Sequence, residues 1–278
     1  MTGPRLDPRS TPATERVALD SLRGLVERPN YTAGRPARVV RPVVDLRRQP
    51  NGPRDRQILF GTDVIVIETR DGWSFVQSDA DGYCGWLLDE ALATDQPWIT
   101  HRVRAAQTVI YPEPSFKVDE IGALSLNSLV TVTEHHGRFM RLASGGWVPE
   151  QHLSEDPDRD PADVAGLLIG TPYVWGGNSR WGIDCSGMVQ AAALACGIAC
   201  PGDSDQQCDF FPEVNDNWQR GDLLFWPGHV AMVTGPDTMI HANAHAMAVT
   251  YERISQAVER IEASGDGALI GARRLMPD

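Results

Sequence analysis

Gly182-Ile183-Asp184-Cys185-Ser186-Gly187-Met188-Val189-Gln190-Ala191-Ala192-Ala193-Leu194-Ala195 puts a cysteine at the opening of a strongly helical run. Met188, Val189, Ala192 and Ala193 share one face at helical spacing, and Gly197 supplies a stop. Asp184 is a natural N-cap, so Cys185 falls in the first turn, where backbone N–H groups have no partner inside the helix. Those groups favour negative charge; they can lower the pKa of a thiol and later hold the oxyanion of an acyl transfer. A cysteine that merely packs in a core is the common alternative. Gly176, Gly177 and Gly182 argue against it, because packing needs no flexible backbone drawn close to the helix. Downstream, Gly228-His229-Val230 and Ile240-His241-Ala242 each set an imidazole on a strand-like segment. A thiol with an imidazole base is an arrangement for nucleophilic catalysis.

Further blocks surround this one in a fixed order: Tyr173-Val174-Trp175-Gly176-Gly177 before it, then Arg220-Gly221-Asp222-Leu223-Leu224-Phe225 and His229-Val230-Ala231-Met232. Together they resemble the signature of the NlpC family of papain-like bacterial cell-wall peptidases, over roughly residues 160–275. The resemblance implies hydrolysis of amide bonds in peptidoglycan peptides, most often between γ-D-glutamate and a diamino acid such as diaminopimelate or lysine. It implies that Cys185 is the nucleophile and that His229 is the general base. His241 would be the third polar residue, orienting the His229 ring, and Tyr173 a donor to the oxyanion. His245 is the other candidate for the third position, and spacing favours His241. His101, His135, His136 and His152 lie outside the blocks and read as structural.

Gly202-Asp203-Ser204-Asp205-Gln206-Gln207 resembles a family segment in which an arginine usually stands where this chain has Gly202. In members that trim short free peptides, the aspartate here and the residues flanking the nucleophile bind the substrate's N-terminal amine. By that resemblance Asp203, Asp184 and Ser186 are substrate-binding candidates, and an ammonium does call for carboxylates in a partly desolvated pocket. A turn-forming or capping duty is the plainer reading of Asp203. Tyr83 resembles a tyrosine that helps an N-terminal domain block the far end of the cleft, and Asp55 stands where an acidic residue can meet the amine. A packed barrel residue and a solvated loop charge are their respective alternatives.

The length of 278 residues exceeds one small peptidase domain. Upstream the chain echoes itself: Gly61 to Val76 and Leu126 to Leu142 share a strand-turn-strand pattern, and each is followed by Gly-Trp, at Gly85-Trp86 and Gly146-Trp147. The pattern indicates small β-barrels that resemble bacterial SH3-like domains. The expected organisation is an N-terminal arm with a short helix over 1–35, one SH3-like barrel over 36–97, a second over 98–155, and the peptidase domain over 156–278. Val17 to Leu25 suits a short amphipathic helix in the arm, and Asp156 to Pro161 reads as the linker. The fold class is therefore α+β: a papain-like catalytic domain preceded by two small SH3-like barrels.

Composition narrows the partners. A net charge of −12 without any Lys/Arg block argues against nucleic acid. No apolar run of signal-peptide or membrane-spanning length stands in the first 30 residues, so no membrane partner is expected. Five cysteines, an odd number, and a thiol that must stay reduced suit the cytoplasm. Cys196, Cys200 and Cys208 have no zinc spacing and there is no His-Glu-x-x-His motif, so neither metal nor cofactor is expected. The reading is a cysteine endopeptidase that cuts murein peptides bearing a free N-terminal L-Ala, in cell-wall peptide recycling. A papain-like amidase or acyltransferase, or a peptidoglycan-peptide binding protein with a vestigial peptidase, are the alternatives.

Overall fold

The computed structural model describes residues 6–215 and 217–275, so the first five residues of the expected arm lie outside the described residues. A six-stranded antiparallel sheet organises the C-terminal part, in the order Glu213–Val214, Gly271–Arg274, Asp222–Trp226, His229–Gly235, Thr238–Asn243 and Ala248–Arg253. Its central strands read as continuous apolar runs because both faces are covered. Leu223, Phe225, Val230, Met232 and Ile240 pack toward helices α1 (Pro161–Gly166) and α2 (Cys185–Ala195). The alternate residues Leu224, Trp226, Ala231, Val233 and Met239 pack with Ile254, Ala257 and Ile261 of helix α4 (Ile254–Ser264).

Helix α2 forms where the sequence predicts it. The Asp184 side chain accepts from Gly187 N at 2.7 Å, and Gly197 at φ +73° ends the run. Its burial is wider than one face: Met188, Val189, Ala192 and Ala193 are completely enclosed, and Ser186, Gly187 and Gln190 are buried as well. Each of the larger apolar side chains contributes about 1.5–3 kcal/mol by leaving water, so the helix carrying Cys185 is anchored on all sides. Asp160 caps α1 by accepting from Ala162 N at 2.8 Å, and Pro161 is the first helical residue. The expected linker therefore stops one residue earlier than its Pro161 boundary.

A seven-stranded sheet spans Arg35 to Ala93, with Asp63–Arg70, Trp73–Ser78 and Cys84–Leu88 as a consecutive meander. Asp71 and Gly72 turn its first hairpin with φ of 50° and 78°. The internal echo recurs as structure: Val132–His136, Phe139–Leu142 and Trp147–Pro149 form a second meander. Each meander ends in a 3₁₀ turn and a two-residue strand, at Asp89–Ala91 with Leu92–Ala93 and at Glu150–His152 with Leu153–Ser154. The second unit has its own core of Val103, Leu124, Val130, Leu142, Val148 and Leu153. Within this unit His101 faces Glu155, His135 meets Glu150 at 2.6 Å, and His152 meets Thr108 at 2.9 Å.

The expected amphipathic helix over Val17 to Leu25 is not formed. Val17–Leu19 is a strand paired in parallel with Asn30–Thr32, followed by one 3₁₀ turn at Asp20–Leu22. Ala18 is completely buried, and Val17 and Leu19 pack against the cluster of Ile67, Phe75, Cys84 and Trp86 on the first barrel. An extended segment meets that surface with alternate residues, and tertiary burial outweighs the weak local preference for helix. Among the described residues no helix is long and apolar enough to cross a membrane.

Candidate active site

Cys185 sits buried at the N-terminus of α2 with Sγ 4.0 Å from the carbonyl oxygen of Gly228, the residue before His229. Gly228 has φ +70°, which lets the turn bring the first residue of its strand against the helix end. The glycine-rich approach is equally constrained. A Cβ on Gly176, at φ +69°, would lie 2.5 Å from Asp55 O, and one on Gly177 would lie 2.6 Å from Gly182 O. Asp184 ties this turn down, accepting from Gly176 N at 2.8 Å and Ser186 Oγ at 3.1 Å besides capping α2. Burial pushes its carboxyl upward in pKa.

Behind the cysteine runs a chain of side chains. His229 Nε2 and His241 Nδ1 are 3.0 Å apart, His241 Nε2 lies 3.0 Å from Glu252 Oε2, and Arg260 donates to both oxygens of Glu252 at 2.7 and 3.0 Å. Alternation along Thr238–Asn243 puts His241 on the face of Met239, which α4 covers, and α4 supplies Arg260. The Arg260 hydrogen bonds hold Glu252 below the usual carboxylate range, so its oxygens only accept. That fixes every proton in the chain. His241 Nε2–H donates to Glu252, its Nδ1 accepts from His229 Nε2–H, and Nδ1 of His229 keeps its lone pair. His245 is exposed in the turn after Asn243 and makes no part of this chain.

Burial pushes the Cys185 thiol up to about 12, with the Asp184 charge adding to it, against the helix-end field that favours a thiolate. Burial, then the neighbouring His241, pushes His229 down to about 3. Burial likewise pushes His241 down to about 4 against the pull of Glu252. Desolvation of charge outweighs the helix-end field.

Seven of the nine residues singled out in the sequence line one cavity of about 370 Å³: Tyr173, Asp184, Cys185, Ser186, Asp203, Tyr83 and Asp55. His229 and His241 do not line it and pair with each other at 3.0 Å. Tyr83 and Asp55 come from the region of the seven-stranded sheet, and Tyr83 donates from its hydroxyl to Asp203 Oδ2 at 3.2 Å. Burial raises the pKa of Tyr173 and of Tyr83, keeping both phenols protonated as donors. The glycine at 202 has a physical reason: an added Cβ would overlap Arg56 Nη1. Arg56 is 5% exposed, pairs with Asp81 at 3.0 Å, bonds Gln190, and lies over the Tyr83 ring at 4.9 Å.

Sequence reasoning missed Glu252, Arg260, Arg48 and Arg9. Glu252 and Arg260 reach His241 only through strand register and helix packing, with no local signal. Arg48 lines the cavity and meets Asp55 at 3.2 Å, and Arg9 reaches it from the N-terminal arm. Among the described residues no cluster of three His, Cys, Asp or Glu side chains could hold a metal ion.

Comparison with known proteins bears on most of the chain. Residues 170–261 match the NlpC/P60 family, and residues 46–92 match the bacterial dipeptidyl-peptidase Sh3 domain. A protein of Bacillus cereus named gamma-D-glutamyl-L-lysine dipeptidyl-peptidase is 26% identical over 260 residues, covering 80% of this chain and 75% of that protein. A crystal structure of an NlpC/P60 family protein from Bacillus cereus superposes with a TM-score of 0.75 at 21% identity, covering 87% of this chain and all of that one. That likeness speaks for the fold alone. Dipeptidyl-peptidase 6 of Lysinibacillus sphaericus is 31% identical over 217 residues, covering 67% of this chain and 79% of that protein. Kinship at that identity and span places this chain in the NlpC/P60 family.

Proposed function

We propose that the protein is a cysteine endopeptidase that hydrolyses the γ-D-glutamyl-diamino acid bond of murein peptides carrying a free N-terminal L-Ala. The observation that carries this reading is the convergence of Asp203, Tyr83 and Asp55 on one end of the Cys185 cavity. Carboxylates in a partly enclosed pocket suit a substrate ammonium, and the first barrel closes that end, leaving little room for further peptide.

Cys185 and His229 rest as neutral thiol and neutral imidazole, so the proton passes from Sγ to His229 Nδ1 as sulfur attacks the γ-carbonyl carbon. The imidazolium that forms is stabilised through His241 and the Glu252 carboxylate. The α2 N-terminus and the Tyr173 hydroxyl face the developing oxyanion. Collapse of the tetrahedral intermediate breaks the C–N bond, and His229 returns its proton to the leaving amine. Water then attacks the thioester, giving its proton to His229, and the regenerated thiol leaves L-Ala-γ-D-Glu as product.

Tyr83 and Asp55 are thereby assigned to substrate, Asp203 to the amine, and Ser186 with Asp184 to the wall beside the nucleophile. The domain boundaries 36–97, 98–155 and 156–278 belong to the same reading. The unit over 98–155 is taken as a second SH3-like barrel, supported by its repeated meander, 3₁₀ turn and separate core. A cytoplasmic location is proposed on the thiol chemistry, since Cys185 must remain reduced and all five cysteines are free. Mass-spectrometric turnover of L-Ala-γ-D-Glu-L-Lys and its diaminopimelate counterpart by wild type and Cys185→Ala tests the reading. Release of L-Ala-γ-D-Glu by wild type only is expected; binding without turnover would refute it.

A further inference from the structure

The N-terminal arm reaches the Cys185 cavity, where Arg9 lines the wall beside Asp203 and Asp205. Arg9 pairs with Asp203 at 2.8 Å and with Asp205 at 2.8 Å, both at the start of helix α3 (Ser204–Phe210), and with Asp7 at 2.7 Å. The Gln206 side chain donates to Asp7 at 3.1 Å. The arm is tied to the barrel too, with Cys84 N donating to the Arg9 carbonyl at 2.6 Å. Arg9 thus bridges the two units, its backbone carbonyl held by Cys84 N and its guanidinium by Asp203 and Asp205.

Behind it lies a second cavity of about 450 Å³, lined by Arg16, Arg28, Arg70, Glu68 and Trp86 among others. Arg9, Arg48 and Asp55 line both this cavity and the one holding Cys185. Arg48 and Asp55 pair with each other at 3.2 Å on the barrel side. Arg9 is therefore part of the partition between the two spaces, held there by three carboxylates. A planar fork with several fixed partners makes a stiffer wall than a single flexible cation would.

We propose that Arg9 is a specificity-determining residue: its ion pairs with Asp203 and Asp205 close the cleft beyond the substrate's amine and exclude peptides extended at the N-terminus. The proposal rests on the free-amine reading above. Without Arg9 the partition opens and the cavity behind it receives the extension, while Asp203 keeps its charge for an ammonium. The wall is thus built from the arm as well as from the barrel.

The test compares kcat/KM for L-Ala-γ-D-Glu-L-Lys and its N-acetyl form in full-length wild type, Arg9→Ala, Arg9→Lys and Asp205→Asn. Both substrates meet the same enzyme, so the ratio is independent of the fraction correctly folded. Wild type is expected to favour the free amine, and Arg9→Ala to lower that preference about 10- to 100-fold, mainly by gaining the acetylated peptide. Arg9→Lys should retain part of the preference and Asp205→Asn should fall between. An unchanged ratio in Arg9→Ala overturns the proposal while leaving the free-amine reading intact. Equal acceleration of both peptides also overturns it, because the arm would then be an inhibitory plug. If wild type cleaves the two peptides alike, the free-amine reading and the role of Arg9 fall together.

Discussion

Glu252→Gln isolates the proton order of the relay with little change in size. In the wild type the ionised carboxylate accepts from His241 Nε2–H at 3.0 Å and is itself held by Arg260 at 2.7 Å. A glutamine can present either oxygen or nitrogen. Arg260 attracts the oxygen, which turns the amide nitrogen toward His241 and makes Nε2 the acceptor. His241 Nδ1–H then donates to His229 Nε2, and the His229 proton moves to Nδ1, where it blocks uptake of the thiol proton. What is lost is one charge-assisted hydrogen bond, about 1.5–3 kcal/mol, which corresponds to about 10- to 150-fold in kcat. The effect should lie in kcat, since Glu252 does not line the cavity, and Glu252→Asp should recover part of it. Steady-state hydrolysis of L-Ala-γ-D-Glu-L-Lys, with melting temperature measured alongside, is the assay. A kcat within about twofold of wild type at equal stability, against the loss expected from that bond, would refute the assigned proton order.

Arg56→Ala removes the guanidinium partner of Asp81, whose side chain is 4% exposed, and should destabilise the protein by about 3–5 kcal/mol; a urea midpoint close to wild type would contradict this. Burial lowers His229 to about 3 and His241 to about 4, whereas unfolded histidines titrate near about 6.5. The unfolded chain therefore binds more protons between those values, and stability contributed above about 6.5 is lost as pH falls toward about 4, by about 1.4 kcal/mol per histidine per pH unit. Thermal melts should show a shallower acid slope in His241→Gln, and an equal slope would count against buried neutral imidazoles. The same shifts place the acid limb of kcat/KM below about pH 5 instead of near the ordinary histidine value, which a pH-rate profile measures directly.

The core around Cys185 was legible because its signals are local. A capped helix start, a glycine turn and histidines on apolar strands are each encoded within a few residues, and Asp184 and Gly197 do in the structure what their positions imply. The repeated hairpin pattern was legible for the same reason, since hairpins are written in adjacent residues. Val17 to Leu25 misled because a short amphipathic stretch has only a weak preference of its own, and contact with the first barrel decided it.

By itself the sequence placed a cysteine at a capped helix start, histidines on apolar strands and a succession of small β-units before them. Tertiary structure alone decided the direction in which burial shifts Cys185 and His229, because desolvation depends on what encloses a group. It also decided the rest of the site. Glu252 meets His241 across 11 positions, Arg56 meets Gln190 across 134 and Arg9 meets Asp203 across 194, only after sheets and arm have packed together. Charge complementarity at such separations is fixed by packing geometry, which no local pattern of residues records.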